Sequence, residues 1–172
     1  IVFKFLRSLR ASDRLAEQAR QETQRILDNV QEGLFLIDRQ GRIGRQCSAS
    51  LPALLGQSVA PGDNMQYLLE ARLDEKHRES ARDFIDLLFN KRVKPSLLKQ
   101  LNPLREVGFA RADGQPCYLD FEFEQVQVGE TVAQLLVTVF DVTKKVLLER
   151  ELASAEQRAK TEVDALLAVL EQ

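Results

Sequence analysis

The sequence predicts an α+β fold: a five-stranded antiparallel sheet with helices on one face, preceded and followed by long helices. Three observations carry this reading. Both ends of the chain are free of Gly and Pro, and their apolar residues recur at helical spacing. Five short segments between them carry strand patterning and are bounded by turn residues. Of these, only the first and last are apolar on both faces, as expected of strands covered on both sides.

From Leu6 to Val30 the residues Leu6, Leu9, Ala16, Ala19, Ile26, Leu27 and Val30 follow a helical spacing around a very polar middle. Such a helix is not a core helix; a partner helix, or the face of the following domain, is its expected stabiliser. Gly33 is expected to end it. Gly33 to Asp38 reads as a short strand, Arg39-Gln40-Gly41 as a turn, and Arg42 to Cys47 as a second, more polar strand. Ser48 or Ser50 can cap a short helix through Leu51, Leu54 and Leu55, ended by Gly56. A loop containing Pro61-Gly62-Asp63-Asn64 follows.

Residues 65–101 read as helical. Their apolar faces are Met65, Leu68, Leu69 and Leu73, then Phe84, Leu87, Leu88 and Phe89, then Leu97, Leu98 and Leu101, punctuated by Pro95 and Pro103. The charge-rich run at 70–83 is a solvated face. The period then changes to two. Val107 and Phe109 lead to Asp113-Gly114, a hairpin signal. Beyond it Cys117, Leu119, Phe121 and Phe123 alternate with Tyr118, Asp120, Glu122 and Glu124, a strand with one wet face. After the turn at Val128-Gly129-Glu130, Val132 to Phe140 forms the last strand. If it lies beside the first strand, the hairpins point outward and the middle helices take one sheet face. The N-terminal helix is then the available cover for the other.

Asp141-Val142-Thr143 starts a helix that runs to the end. Leu148, Leu152, Ala155, Ala159, Val163, Leu166 and Leu170 are spaced 4, 3, 4, 4, 3 and 4, a coiled-coil seam with one stutter. The two alanines permit close helix approach.

At 172 residues and 44% apolar composition the chain suits one domain with extensions. Its net charge of −2 gives no general attraction to nucleic acid, and none is expected as a partner. Residues 1–25 are locally basic: Lys4, Arg7, Arg10, Arg14, Arg20 and Arg25 stand against Asp13, Glu17 and Glu22. The apolar start, Ile1-Val2-Phe3-Lys4-Phe5-Leu6, fits two readings: the cytoplasmic stub of a preceding membrane helix, or the start of an amphipathic helix. The stretch itself is too short to cross a bilayer. The chain does not begin with Met and reads as the cytoplasmic fragment of something longer. Cys47 and Cys117 belong to no CxxC pair or Cys/His cluster and read as reduced buried thiols, with no structural zinc. There is no Ser/His/Asp set, Gly-rich phosphate loop or kinase nucleotide motif, so this segment is expected to be non-catalytic.

Three stretches carry a resemblance: Ile26 to Asp38 (ILDNVQEGLFLID), Gly41-Arg42-Ile43 at the second strand, and Leu135 to Thr143 (LLVTVFDVT). On these the chain resembles a PAS domain over about residues 26–143. A PAS domain followed by Asp-Val-Thr and a Leu/Glu/Arg-rich helix is similar to bacterial histidine kinases of two-component systems and their relatives. The resemblance implies a PAS-like domain at 32–143, its helical middle at 64–103. Residues 1–31 are then an N-terminal amphipathic or coiled-coil helix, and 144–172 a C-terminal coiled-coil signalling helix. It implies a sensory or relay module acting as a homodimer, with a downstream kinase or phosphotransfer output domain in the same chain. A ligand-free structural dimerisation spacer is the alternative. The middle (LDEKHRESARD) is longer and more charged than is usual in the family.

The site expectations follow. Asp141 and Thr143 match the family's Asp-X-Thr junction, whose side chains tie the last strand to the outgoing helix, and are read as signal-relay residues. A small-molecule ligand, if one binds, would sit near Met65, Phe84, Leu88, Phe109, Leu119 and Phe121; the same residues equally suit a filled core. The dimer seam is Leu148, Leu152, Ala155, Ala159, Val163 and Leu166, and its stutter permits two near-equal packings. Gly44-Arg45-Gln46-Cys47 echoes the Gly-Arg-Asn-Cys of flavin-binding relatives, but that motif lies on a helix, whereas Cys47 ends a strand; flavin is not expected. His77, the only histidine, sits among Asp74, Glu75, Lys76, Arg78 and Glu79 rather than the apolar walls a haem needs; haem is not expected. No phosphoacceptor is assigned to it, and no cofactor is required.

Overall fold

The computed structural model describes residues 2–111 and 113–171, with backbone alone for residues 2–9 and Ala110. The apolar start read at residues 1–6 therefore lies outside the described side chains. Helix α1 (Val2–Asp28) leads into strands β1 (Gly33–Ile37) and β2 (Ile43–Cys47). Four helices follow: α2 (Leu51–Leu55), α3 (Met65–Glu70), α4 (Glu75–Leu88) and α5 (Pro95–Leu101). Strands β3 (Val107–Ala110), β4 (Pro116–Val128) and β5 (Thr131–Asp141) complete the sheet before α6 (Thr143–Leu170). The strand order is β2-β1-β5-β4-β3 and every neighbouring pair is antiparallel.

The two strands apolar on both faces do pair at the centre, Gly33 opposite Val139 through Ile37 opposite Leu135. Period two then sorts their side chains. Phe35, Ile37, Leu135, Val137 and Val139 face inward with Leu119 and Phe121 of β4, all buried. Leu51, Leu55, Met65, Leu69, Phe84 and Leu88 of the middle helices are buried with them in one core. Each such side chain contributes about 1.5–3 kcal/mol by leaving water.

The outer face has a different cover from the one expected. The first turns of α6 pack on the outer face of β4, burying Val146 to 3% exposure. Among the described residues, helix α1 meets the sheet through its last turns, along β2: Gln24 Nε2 donates to the Cys47 carbonyl at 3.1 Å, and Gln46 Nε2 to the Arg20 carbonyl at 3.0 Å. Residues 10–23 of α1 are exposed. These are polar edge contacts, so they hold the end of α1 without laying it across the sheet.

Three local expectations change for identifiable reasons. Gly33 does not end α1, which stops at Asp28; it opens β1, where an added Cβ would lie 2.8 Å from Leu51 Cδ1 and 3.1 Å from Val139 Cβ. That glycine is needed for close packing. Ser50 is the N-cap residue of α2 but makes no capping bond; its hydroxyl donates to the Glu32 carbonyl at 2.6 Å, while Ser48 Oγ accepts from the Leu34 N–H. The serines tie α2 to β1 instead. The charged run at 70–83 breaks at Asp74, whose carboxylate accepts the His77 N–H at 2.8 Å and starts α4 afresh.

Gly33→Ala should lower stability by about 1–3 kcal/mol in urea denaturation, because Leu51 and Val139 must move. Gly44→Ala is the control: a Cβ there meets nothing closer than 3.6 Å, and its stability should stay within about 0.5 kcal/mol of the parent.

Candidate functional site

A connected group of side chains lies where β5 passes into α6. Asp141 ends β5 and Thr143 begins α6, with Val142 at the N-cap. Asp141 Oδ1 accepts two bonds from Thr143, from its N–H at 3.0 Å and its hydroxyl at 2.5 Å. The Thr143 oxygen in turn accepts the Tyr118 N–H of β4 at 2.9 Å, and the Val142 N–H donates to the Tyr118 carbonyl at 2.9 Å. Asp141 Oδ2 forms an ion pair with Arg111, next to the β3–β4 turn. The junction thus joins strand, helix and hairpin.

Two further contacts root the helix. Arg150, two turns into α6, donates to Tyr118 Oη at 2.5 Å, with its guanidinium carbon 4.6 Å from the ring centroid. Lys145 Nζ donates to Glu106 Oε1 at 3.1 Å. Glu106 is the one described non-glycine residue with positive φ, at +51°. Its N–H donates to the buried carboxylate of Asp120 at 2.5 Å, which holds this left-handed turn in place.

Burial alone would push the Asp141 pKa up. The two bonds from Thr143 and the Arg111 guanidinium outweigh it and hold the carboxyl below its ordinary value.

Asp141 and Thr143 are therefore brought together as the sequence reading expects. Arg111, Tyr118, Arg150, Lys145 and Glu106 were not identified from the sequence. Their partners stand 30 or more residues away in three of the five bonds and pairs that join them to the junction and α6, and far outside the local sequence in the other two, so local pattern offers no signal for them. The six candidate ligand-pocket residues, Met65, Phe84, Leu88, Phe109, Leu119 and Phe121, are all buried in the one core. The cavity beside them measures about 50 Å³ and touches only Phe84 and Leu88 of the six.

The seam residues Leu148, Leu152, Ala155, Ala159, Val163 and Leu166 are exposed in the single chain, Leu152 by 61% and Leu166 by 66%. Every described residue of α6 beyond Arg150 is exposed. Cys47 ends β2, half-buried, with its thiol pKa pushed up by burial and by the charge of Asp28; Cys117 is buried opposite Phe109. His77 is exposed at the start of α4, its Nδ1 2.7 Å from Asp74. Among the described residues no group of three or more His, Cys, Asp or Glu could hold a metal ion, and no helix is long and apolar enough to cross a membrane.

No family model and no curated protein matches the chain. Solved structures do. An RNA-binding light-oxygen-voltage receptor matches with a TM-score of 0.58 at 15% identity, over 80% of this chain and 37% of that one. The chain thus spans little more than a third of that receptor. A sensory box histidine kinase/response regulator from Burkholderia thailandensis E264 matches with a TM-score of 0.54 at 11% identity, over 81% of this chain and 98% of that one. The PAS domain of BvgS from Bordetella pertussis has a TM-score of 0.48 at 11% identity, over 82% and 98%. The likeness is one of fold alone: the chain has a PAS-like α+β architecture, a five-stranded antiparallel sheet with helices.

Because the Asp141 carboxyl is held below its ordinary value when folded, the stability it contributes is complete above the unfolded value of about 3.9 and is lost as pH falls through the folded one. Asp141→Asn, followed by urea denaturation from pH 6 down to about pH 2, should give a shallower acid loss than the parent. A parallel loss in the two proteins would exclude Asp141 as a contributor.

Proposed function

We propose that this chain is a non-catalytic sensory or relay module of a bacterial signalling protein of the histidine-kinase or phosphorelay type. It acts as a homodimer through α6 and passes a conformational signal to an output domain that follows in the same chain. The observation that carries the reading is the contrast along α6. Its first two turns are tied to β4, β5 and the β3–β4 hairpin through Asp141, Thr143, Tyr118 and Arg150, whereas its remaining turns present an uncovered apolar seam. A helix so rooted transmits what the sheet does, and a seam of Leu, Ala and Val is stabilised by a second helix. The seam stutter supplies two near-equal packings between which the pair can switch.

The filled core favours a mechanical form of this function. A cavity of about 50 Å³ is far below the roughly 300 Å³ of small-molecule sites. An upstream displacement delivered through α1 can drive such a relay without a resident ligand. The same observation supports the second reading, a ligand-free dimerisation spacer. The two differ in whether the junction matters for output.

Leu152→Glu with Leu166→Glu should weaken the dimer about a hundredfold or more in sedimentation, since each charge would be buried at the seam. An unchanged dimer would move the interface elsewhere. In the full-length protein, Asp141→Ala should change output by more than its effect on folding accounts for, measured as kinase activity beside thermal denaturation. Unchanged output with an intact fold would select the spacer.

A further inference from the structure

Strand β4 is longer than either neighbour can cover on both edges. Its pairing with β3 runs only from Pro116 to Leu119, whereas β5 accompanies it from Leu119 to Val128. In an antiparallel ladder the N–H and C=O of successive residues point to alternate edges. Tyr118 points its pair toward the β5 side, where Thr143 and Val142 take them. Phe121 points the other way: its N–H donates to the Leu104 carbonyl at 2.9 Å, and its carbonyl accepts Asn102 Nδ2 at 2.6 Å. By the same alternation the backbone groups of Phe123 and Gln125 face that edge too, before the register shifts at Val126 and Gln127. Among the described residues no hydrogen bond engages them.

The surroundings of this edge are specific. Along it lies the 50 Å³ cavity, whose lining includes Phe84, Leu98 and Phe123 together with Lys99, Arg105, Glu122 and Glu124. On its outer side Glu122 and Glu124 are exposed and form no ion pair among the described residues, whereas Asp120 before them faces Arg105 at 3.8 Å.

We propose that the β4 edge at Phe123–Gln125 docks an extended segment of a partner protein by strand addition, and that this segment alternates apolar residues with Lys or Arg. Its backbone satisfies the free groups of Phe123 and Gln125. Its apolar side chains face Phe84, Leu98 and Phe123, and its basic ones stand beside Glu122 and Glu124, where opposite charges across strands stabilise. The two carboxylates disfavour a second copy. Antiparallel pairing of two β4 edges centred on Phe123 or Glu124 sets glutamate against glutamate.

The probe is a fluorescein-labelled peptide about eight residues long that alternates lysine and valine, with a second version N-methylated at alternate amides. Amide hydrogen exchange by NMR on the whole chain should show Phe123 and Gln125 exchanging fast when free and protected when the peptide is saturating. Gln125→Pro removes the edge donor and should weaken binding about fivefold or more. Gln125→Ala loses only the side-chain bond to the Leu88 carbonyl and should bind as the parent does. Glu122→Lys with Glu124→Lys should weaken binding, and the N-methylated peptide should bind poorly to the unaltered chain, which preserves the test if the proline variant fails to fold. Protection of both amides without peptide would overturn the proposal, by the chain itself if independent of protein concentration and by a second copy if dependent on it. Binding without new protection at these amides, equal binding by the N-methylated peptide, or no binding at millimolar peptide would overturn it as well.

Discussion

The pairing of β1 with β5 is the constraint on which the rest of the molecule depends. It joins segments near opposite ends of the domain, Gly33 to Val139 and Ile37 to Leu135. Closing so long a loop is entropically costly, but that cost grows only slowly with length, by about 0.6 kcal/mol per doubling. Burial of Phe35, Ile37, Leu135, Val137 and Val139 on one face offsets it. Once this pair is fixed, β2 and the β3–β4 hairpin have only the outer edges left. The middle helices have only the inner face.

The same register has a topological result. Gly33 is the first residue of β1 and lies opposite Val139, near the end of β5. The chain therefore enters and leaves the sheet at the same end, and α1 and α6 flank one strand spacing. Residues 34–138 form a closed excursion between them. At this end Asp141 and Thr143 join β5 and α6 to Tyr118 and Arg111, and Gln24 joins α1 to the end of β2. The close approach at Gly33, with Leu51 and Val139 against its backbone, leaves no room there for a side chain.

The parts of the fold that sequence made legible are those governed by period. The alternation in β4, the doubly apolar β1 and β5, and the helical spacing of α6 each follow from which side of an element is wet. Asp141 and Thr143 were singled out by their match to the Asp-X-Thr junction of the family the chain resembles, and their side chains meet across two residues. Tyr118 and Arg150 were not. Their bond crosses 32 residues, and in the sequence the tyrosine is one of four polar residues on the wet face of β4. Arg111 likewise reads as a turn cation until the fold sets it against Asp141. Gly33 and Ser50 show the converse: each has a common local use, helix end or cap, which a tertiary contact replaced. The cover of the outer sheet face was misread because only the N-terminal helix was weighed for it, although the chain has two long helices. Polarity alone does not say which of them turns back, whereas the Val146 side chain and the Lys145–Glu106 bond do.

The freestanding part of α6 from Arg150 to Leu170 is a lever about 30 Å long at 1.5 Å per residue. Its fulcrum is the Tyr118–Arg150 contact. A tilt of about 5° there, less than the scatter among ordinary helix crossings, carries the tip about 2.6 Å, half a helical pitch. In the relay proposed above, an adjustment of the sheet would be enlarged roughly in proportion to the ratio of the two arms, with the anchored turns as the short arm and the free turns as the long one. How far the free turns can swing is limited by the Tyr118–Arg150 contact together with buried Val146 and the Lys145–Glu106 bond.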